Sequence, residues 1–261
     1  MLSLVYSVVN FYYECASQIK NTLIDFFENT PEKGLVENNM FLLGEHIFFS
    51  SLGVILFCKQ NWAMDITMMW EHQLSLSIVV YYLLYIMRYV VQIQMMTGKE
   101  KDYQSMMTHH ISTVLLLTLS FVHYHRIGVI IAMSHDLADL LFLPAKLCHK
   151  FYETRKINIL NTLSYIYFVL FLLVFFFTRI VLNSRIVYYI FNTIFYPSGV
   201  LQFYNPDIYL EGHILELLLV VNLGIQWFWQ IMIIKFAYNL AIGGKPKDEK
   251  GNEYFKNEKN L

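Results

Sequence analysis

Five of the nine histidines fall between Lys99 and Lys146, in the stretch KEKDYQSMMTHHISTVLLLTLSFVHYHRIGVIIAMSHDLADLLFLPAK. His109 and His110 are adjacent, and His135, Asp136 and Asp139 form a second cluster. Imidazole is a nucleophile and a general base near neutral pH, and a neighbouring carboxylate can fix its tautomer and stabilise the imidazolium. A histidine pair with two aspartates therefore suits acyl transfer, one histidine attacking a thioester or deprotonating an incoming amine. The same residues also suit part of a metal site, although di-iron membrane desaturases and hydroxylases use several separated HxxHH boxes and this chain has one HH pair. A structural reading exists as well, because buried polar side chains can join helices in a bilayer. Ionisable groups in hydrocarbon are costly unless paired or lining a cavity, so five of them at adjacent depths point to a functional site.

These residues need elements that bring them together. The third and fourth apolar runs are joined by the short polar link His123, Tyr124, His125, Arg126, which predicts an antiparallel helical hairpin. His110 and Asp139 are equally far from the middle of that link, so the hairpin puts them at one depth. On the fourth helix, Asp136 and Asp139 are three apart and His135 and Asp139 four apart, which places all three on one side; Lys146, seven beyond Asp139, continues that side. Thr113 is four from His109 and three from His110, within reach of hydrogen bonding. At about 1.5 Å of rise per residue, His110 is a turn or two inside the membrane boundary, accessible to a water-soluble reactant.

The rest of the chain is built to hold such a hairpin in lipid. Of its 261 residues, 56% are hydrophobic and only 15% are charged, too apolar for an ordinary soluble domain. The runs have bilayer length and lack the alternation of membrane strands, so the expected fold class is an all-α polytopic membrane protein. Six spans are expected, at about 40 to 58, 74 to 96, 106 to 124, 127 to 147, 160 to 182 and 213 to 238. Ahead of them, residues 1 to 28 space their polar residues by three and four, the pattern of an amphipathic or membrane helix, and residues 29 to 39, with Pro31 and Gly34, read as a linker. Asn183 to Gly212, interrupted by Pro197, Gly199 and Pro206, reads as a loop with a partly inserted segment, and residues 241 to 261 as a polar tail.

If the linker, the loops 97 to 105 and 148 to 159 and the tail share one side, that side holds twelve Lys and Arg residues, Lys20 included, against Lys59, Arg126 and Arg185 opposite. That asymmetry predicts a cytosolic C-terminus. The formal net charge of −1 gives no reason to expect a polyanionic partner, and no basic and aromatic pattern suggests nucleic acid. Cys15, Cys58 and Cys148 form neither a disulfide framework nor a CxxC site. The start, MLSLVYSVVNFYYECA, lacks a basic region and a cleavage site, so no removed signal peptide is expected.

The string KEKDYQSMMTHHISTVLLLTLSF, followed by RIG and then HDLADLLFLPAK, resembles the Lag1 motif of ceramide synthases within the TRAM-Lag1-CLN8, or TLC, superfamily. The motif would occupy residues 99 to 146 and the TLC domain residues 40 to 240. The resemblance implies a six-helix bundle in the endoplasmic reticulum that transfers a fatty acyl group from acyl-CoA to the amine of a sphingoid long-chain base. It places the essential pair on His109 and His110, the HDxxD element on His135, Asp136 and Asp139, and the substrate- and CoA-binding positions on Lys99, Lys101, Thr113, Arg126 and Lys146. The chain departs from the pattern at Leu143, where many members have Glu, at His123 in place of Asn and at Ala138 in place of Ser; Pro144 should loosen the fourth helix.

The expected mechanism has two steps: His109, or less favourably His110, attacks the thioester, Asp136 or Asp139 orienting the imidazole, and the amine of the base then attacks while the partner histidine accepts its proton; a one-step variant with histidine only as general base stays open. Neither a metal nor a cofactor is expected, acyl-CoA being a substrate. Expected partners are fatty acyl-CoA, the sphingoid base and the bilayer, with a homodimer or a small accessory subunit left open. The competing expectation is a non-enzymatic TLC protein that regulates lipid composition or trafficking.

Overall fold

The computed structural model describes residues 33–58, 75–96, 103–121, 123–195 and 206–242, together with Glu14, Gln18 and Thr22; side chains are described within 39–58 of the first segment, up to residue 192 of the fourth and from residue 212 of the last. The helix expected over residues 1 to 28, Lys99, Lys101 and the tail from residue 243 fall outside these residues, save for helical positions at Glu14, Gln18 and Thr22.

The described chain is helical, in the order α1 (Lys33–Cys58), α2 (Leu76–Met95), α3 (Tyr103–Ser120), α4 (His125–Arg155), α5 (Asn158–Phe175), a π-helical segment (Phe176–Leu182), α6 (Asn183–Phe195) and α7 (Pro206–Ala241). Because α5, the π segment and α6 run on without a break, these elements make six rods. Five of the rods are long and apolar enough to cross a membrane, as an all-α polytopic membrane protein requires. The sixth, α3, has 18 residues and carries Gln104, His109 and His110, which leaves it less apolar than the others. Large apolar side chains such as Leu170, Leu173 and Phe177 on the fifth rod and Leu217, Phe228 and Ile231 on α7 are exposed on the outside, where lipid is their natural solvent.

Three boundaries differ from the sequence expectation. The stretch read as a linker is helical from Lys33, because Gly34 stands in the first turn, where its cost to a helix is small. Helix α4 continues through Pro144 to Arg155 and stops at Lys156, whose φ of 55° is the left-handed cap. Ser164 donates to the Ala145 carbonyl at 3.0 Å, tying α5 to α4 beside the proline. The segment read as a loop from Asn183 to Gly212 is helical as far as Phe195, since Pro197 and Gly199 lie beyond that point and the π turns carry the helix over from α5, and it is helical again from Pro206, a residue that suits the first turn of α7.

Helix α4 packs against α1, α2, α3, α5 and the π segment, while α3 packs between α2 and α7. The α3–α4 hairpin is as tight as expected: the Tyr124 N–H donates to the Ser120 carbonyl at 2.9 Å. Gly128 makes the close approach to α2 possible. The Tyr82 hydroxyl, donating to the His125 carbonyl at 2.8 Å, occupies the place any Cβ at Gly128 would need. The principal core lies among α1, α2, α3 and α4, with Phe49, Tyr81, Tyr82, Tyr85, Leu117 and Val129 buried at its centre.

Candidate active site

The aspartates of α4 are held by arginines. Asp136 is 1% exposed and accepts from Arg88 Nη1 at 2.8 and 3.0 Å, one distance to each carboxylate oxygen. It also accepts from the Tyr85 hydroxyl and from His46 Nδ1, the latter at 2.7 Å. Arg88 lies within a cage of Phe49, Tyr85 and Tyr89, with its guanidinium 4.8 Å from the Phe49 ring centre, and its Nε is 3.9 Å from Glu45. A buried guanidinium retains its charge only with such partners, and α2 supplies them at four-residue spacing, Tyr85 and Tyr89 flanking it.

One turn further along α4, Asp139 accepts from Arg179 Nη2 at 2.5 Å. The same nitrogen donates to the His135 carbonyl at 2.6 Å, and Nη1 reaches Gln226 of α7 at 3.4 Å. Arg179 stands in the π segment, whose wider turns present it to α4 and α7 together. His46, Asp136 and Asp139 bring three donor atoms within 4.8 Å, a spacing a cation could use. Both carboxylates, however, already face guanidinium groups, which a metal would have to displace, so the donor set is that of an ion-pair network.

The histidines form a separate group. His109 and His110 are 5% and 7% exposed, and the His109 ring lies nearly parallel to that of His135, 6.0 Å between centres and 19° between planes. Trp229 of α7 meets His109 edge-on at 5.1 Å, and Tyr89 of α2 lies 5.2 Å from His110. The Ser112 and Thr113 hydroxyls donate to the His109 carbonyl at 2.9 and 2.8 Å. His135 Nδ1 donates to the Ile131 carbonyl at 2.7 Å, an assignment forced by the carbonyl being an acceptor only. Its Nε2 therefore carries the lone pair, and that atom is buried without a hydrogen-bond partner among the described residues.

Beside this group lies a crevice between α2, α3, α4, α6 and α7. Its walls are apolar, with Leu116, Ile131, Leu215 and Leu219, and their polar positions include His135, Thr113, Tyr85, Tyr89 and Asn222. The lining suits an apolar ligand oriented by a few polar groups.

Set against the sequence reading, the structure brings His109, His110, His135 and Thr113 together and turns the two aspartates elsewhere. Asp136 and Asp139 bond to Arg88, His46, Tyr85 and Arg179 and not to the HH pair, so the orienting contacts expected of them are replaced by ring packing against Trp229, Tyr89 and His135. Lys146 is exposed with its ammonium 4.3 Å from the Phe142 ring centre, and Asp139 pairs with Arg179 and, at 3.9 Å, with His46. Arg126 is buried in the first turn of α4, ten residues from Asp136 and thus about 15 Å along the helix from it. The partners that the sequence reading passed over, His46, Arg88 and Arg179, had a signal: each is an ionisable residue within an apolar run, which is unusual enough to mark a site.

A family model described as TLC domain, TRAM_LAG1_CLN8, matches residues 36–235. Among curated proteins, the chain is 28% identical over 201 residues to ceramide synthase 4 of Bos taurus, covering 74% of this chain and 47% of that protein. It is 27% identical over 161 residues to ceramide synthase hyl-1 of Caenorhabditis elegans, with 58% and 40% covered, and 27% identical over 158 residues to ceramide synthase LAG1 of Saccharomyces cerevisiae, with 58% and 36% covered. The chain thus spans about half the length, or less, of these relatives. With the family model matching well over half of its residues, the chain belongs to the TRAM-LAG1-CLN8 family of TLC-domain membrane proteins.

Proposed function

We propose that the chain is an acyl-CoA-dependent N-acyltransferase, a ceramide synthase that joins a fatty acyl group to the amine of a sphingoid long-chain base. The observation that carries this reading is the packing of buried His109 against His135 at the wall of an apolar crevice. The apolar lining matches a fatty chain in chemistry, and His135 stands in that lining beside His109. The family's similarity to proteins named ceramide synthase supports the same reading.

In the proposed first step, a His109 nitrogen attacks the thioester carbonyl. A C–N bond forms, the C–S bond breaks, and the proton lost from the imidazole ends on the departing thiolate to give free CoA. In the second step the neutral amine of the base attacks the acyl-imidazole, the amide forms, and His109 is released. Trp229, Tyr89 and His135 restrict the His109 ring to one orientation, and the Ser112 and Thr113 bonds hold its backbone. Lys99, Lys101 and Lys146 are assigned to CoA phosphates at the cytosolic mouth, and the protein to the endoplasmic reticulum membrane with its C-terminus in the cytosol.

The test is the intact mass of the purified protein after incubation with a long-chain acyl-CoA alone and again after dihydrosphingosine is added, for wild type and His109→Ala. An acyl-sized gain on wild type, absent from the variant and discharged as ceramide, is the expected result. Ceramide without an adduct would replace the covalent step with direct attack by the amine. Neither adduct nor ceramide from folded protein would favour the non-enzymatic reading.

A further inference from the structure

We propose that His135 is the general base of the second step, receiving the proton of the attacking amine on Nε2 and passing it to the leaving nitrogen of His109. The proposal rests on the acyl-His109 reading above and names the group that completes it. Three observations lead to it. His135 lines the crevice, whereas neither member of the HH pair does. Its ring lies over that of His109, so whatever attacks an acyl group carried by His109 passes beside His135. Its tautomer is set: Nδ1–H is committed to the Ile131 carbonyl at 2.7 Å, leaving Nε2 as a lone pair with no hydrogen-bond partner among the described residues.

A purely structural imidazole would be expected to look different. Polar side chains that join membrane helices do so by bonding across to a neighbour. His135 Nδ1 bonds instead to the carbonyl one turn back on its own helix, and the other ring nitrogen is buried without a bond among the described residues. That arrangement adds little cohesion between helices and keeps a basic nitrogen available. His110, the base expected from sequence, also has a ring nitrogen without a partner among the described residues, but it does not line the crevice, and no hydrogen bond there sets its tautomer.

The proton balance closes without another reactant. The neutral amine attacks the acyl carbon, the nascent ammonium gives one proton to His135 Nε2, and the C–N bond to His109 breaks. His135 then returns that proton to the His109 nitrogen, so that both imidazoles end neutral with one N–H each, and the product is the amide.

The two half-reactions separate this role from a structural one. Acyl-CoA is added first to wild type and His135→Gln, the adduct is mapped to a residue, and its discharge is timed with dihydrosphingosine and with hydroxylamine, which attacks acyl-imidazoles without needing a base. The expected result is acylation of His109 in both proteins, discharge to dihydrosphingosine slowed by about 10²-fold or more in the variant, and equal discharge by hydroxylamine. Unslowed discharge, equal slowing with hydroxylamine, loss of acylation in a folded variant, or an adduct on His135 itself would each overturn the proposal. A wild type that makes ceramide without any adduct would overturn the acyl-His109 reading, and with it this assignment.

Discussion

Helix α4 presents two kinds of chemistry on neighbouring turns. Toward α1, α2 and the π segment, Asp136 and Asp139 are bonded by Arg88, Arg179, Tyr85 and His46, with cation and anion in direct contact. Toward α3 and α7, His135 meets His109 and the crevice through ring faces, and its Nε2 and the Nδ1 atoms of His109 and His110 have no hydrogen-bond partner among the described residues. Each carboxylate of the charged side meets a cation directly, although Arg88 Nε and Arg179 Nε have no hydrogen-bond partner among the described residues, whereas the imidazoles of the other side meet one another only through their rings. Ion pairs in a low-dielectric interior hold geometry, because losing one partner strands the other. Imidazoles that meet only rings keep a lone pair that can bond to something arriving from outside. The ion-pair network is thus suited to positioning α1, α2, α4 and the π segment, and the histidines to the proposed reaction.

The sharpest way to break this division is to remove one member of the network. Arg88→Met leaves Asp136 buried with its main cation gone and should cost about 3–5 kcal/mol, read as a large fall in the unfolding temperature of the detergent-solubilised protein. The double variant Arg88→Met with Asp136→Leu removes both charges and should recover much of that loss. His109→Ala, by contrast, strands no charge and should lower the unfolding temperature less than Arg88→Met while abolishing transfer. If Arg88→Met were as stable as wild type, the network would not be the scaffold of the bundle.

The same division explains how much of the site was legible in the sequence. His109, His110, His135, Asp136 and Asp139 could be read because they are reactive types at helical spacing inside apolar runs, and the HHISTV and HDLAD strings sit on two helices joined by a short link. Their pairing could not be read. Arg88 and Arg179 lie 48 and 40 residues from the aspartates they bond, so only tertiary packing reveals the contact. His46 meets Asp136 from 90 residues away, across the α1–α4 interface. The helix after Leu182 was hidden for a local reason: Pro197 and Gly199 signal a break, but they act on residues after Phe195, and Asn183 is buried against the bundle without ending the helix. Five of the rods were readable from hydropathy, because those apolar runs have the length the bilayer sets, while α3 was placed by its position in the hairpin with α4.

Tyr85 belongs to both regions and so measures how far they depend on each other. Its hydroxyl donates to Asp136, and its ring lines the crevice beside Tyr89. Tyr85→Phe keeps the ring and removes one hydrogen bond to a charged acceptor, a loss of about 1.5–3 kcal/mol, less than the loss from Arg88→Met because Asp136 retains its cation. Since the histidines are held by rings rather than by the carboxylate, acylation of His109 should proceed in this variant at close to the wild-type rate. A stable Tyr85→Phe that failed to acylate would show that the network reaches into the reaction and that the two regions are one.

Thr113 gives the smallest expected effect and the finest test. Its hydroxyl donates to the His109 carbonyl on the same helix, the local back-bond that serine and threonine commonly make, and its side chain borders the crevice. The carbonyl it caps also accepts from Ser112 at 2.9 Å, so Thr113→Val removes one of two donors and keeps the shape of the side chain. The stability change should stay within about 1 kcal/mol, and acylation should slow by no more than about fivefold, the equivalent of that energy at 1.4 kcal/mol per tenfold. A larger loss of rate at unchanged stability would mean that the threonine oxygen meets the substrate rather than only the helix. Thr113→Ser, which restores the hydroxyl without the methyl group, would then recover the rate, and Thr113 would join the imidazoles in the proposed reaction.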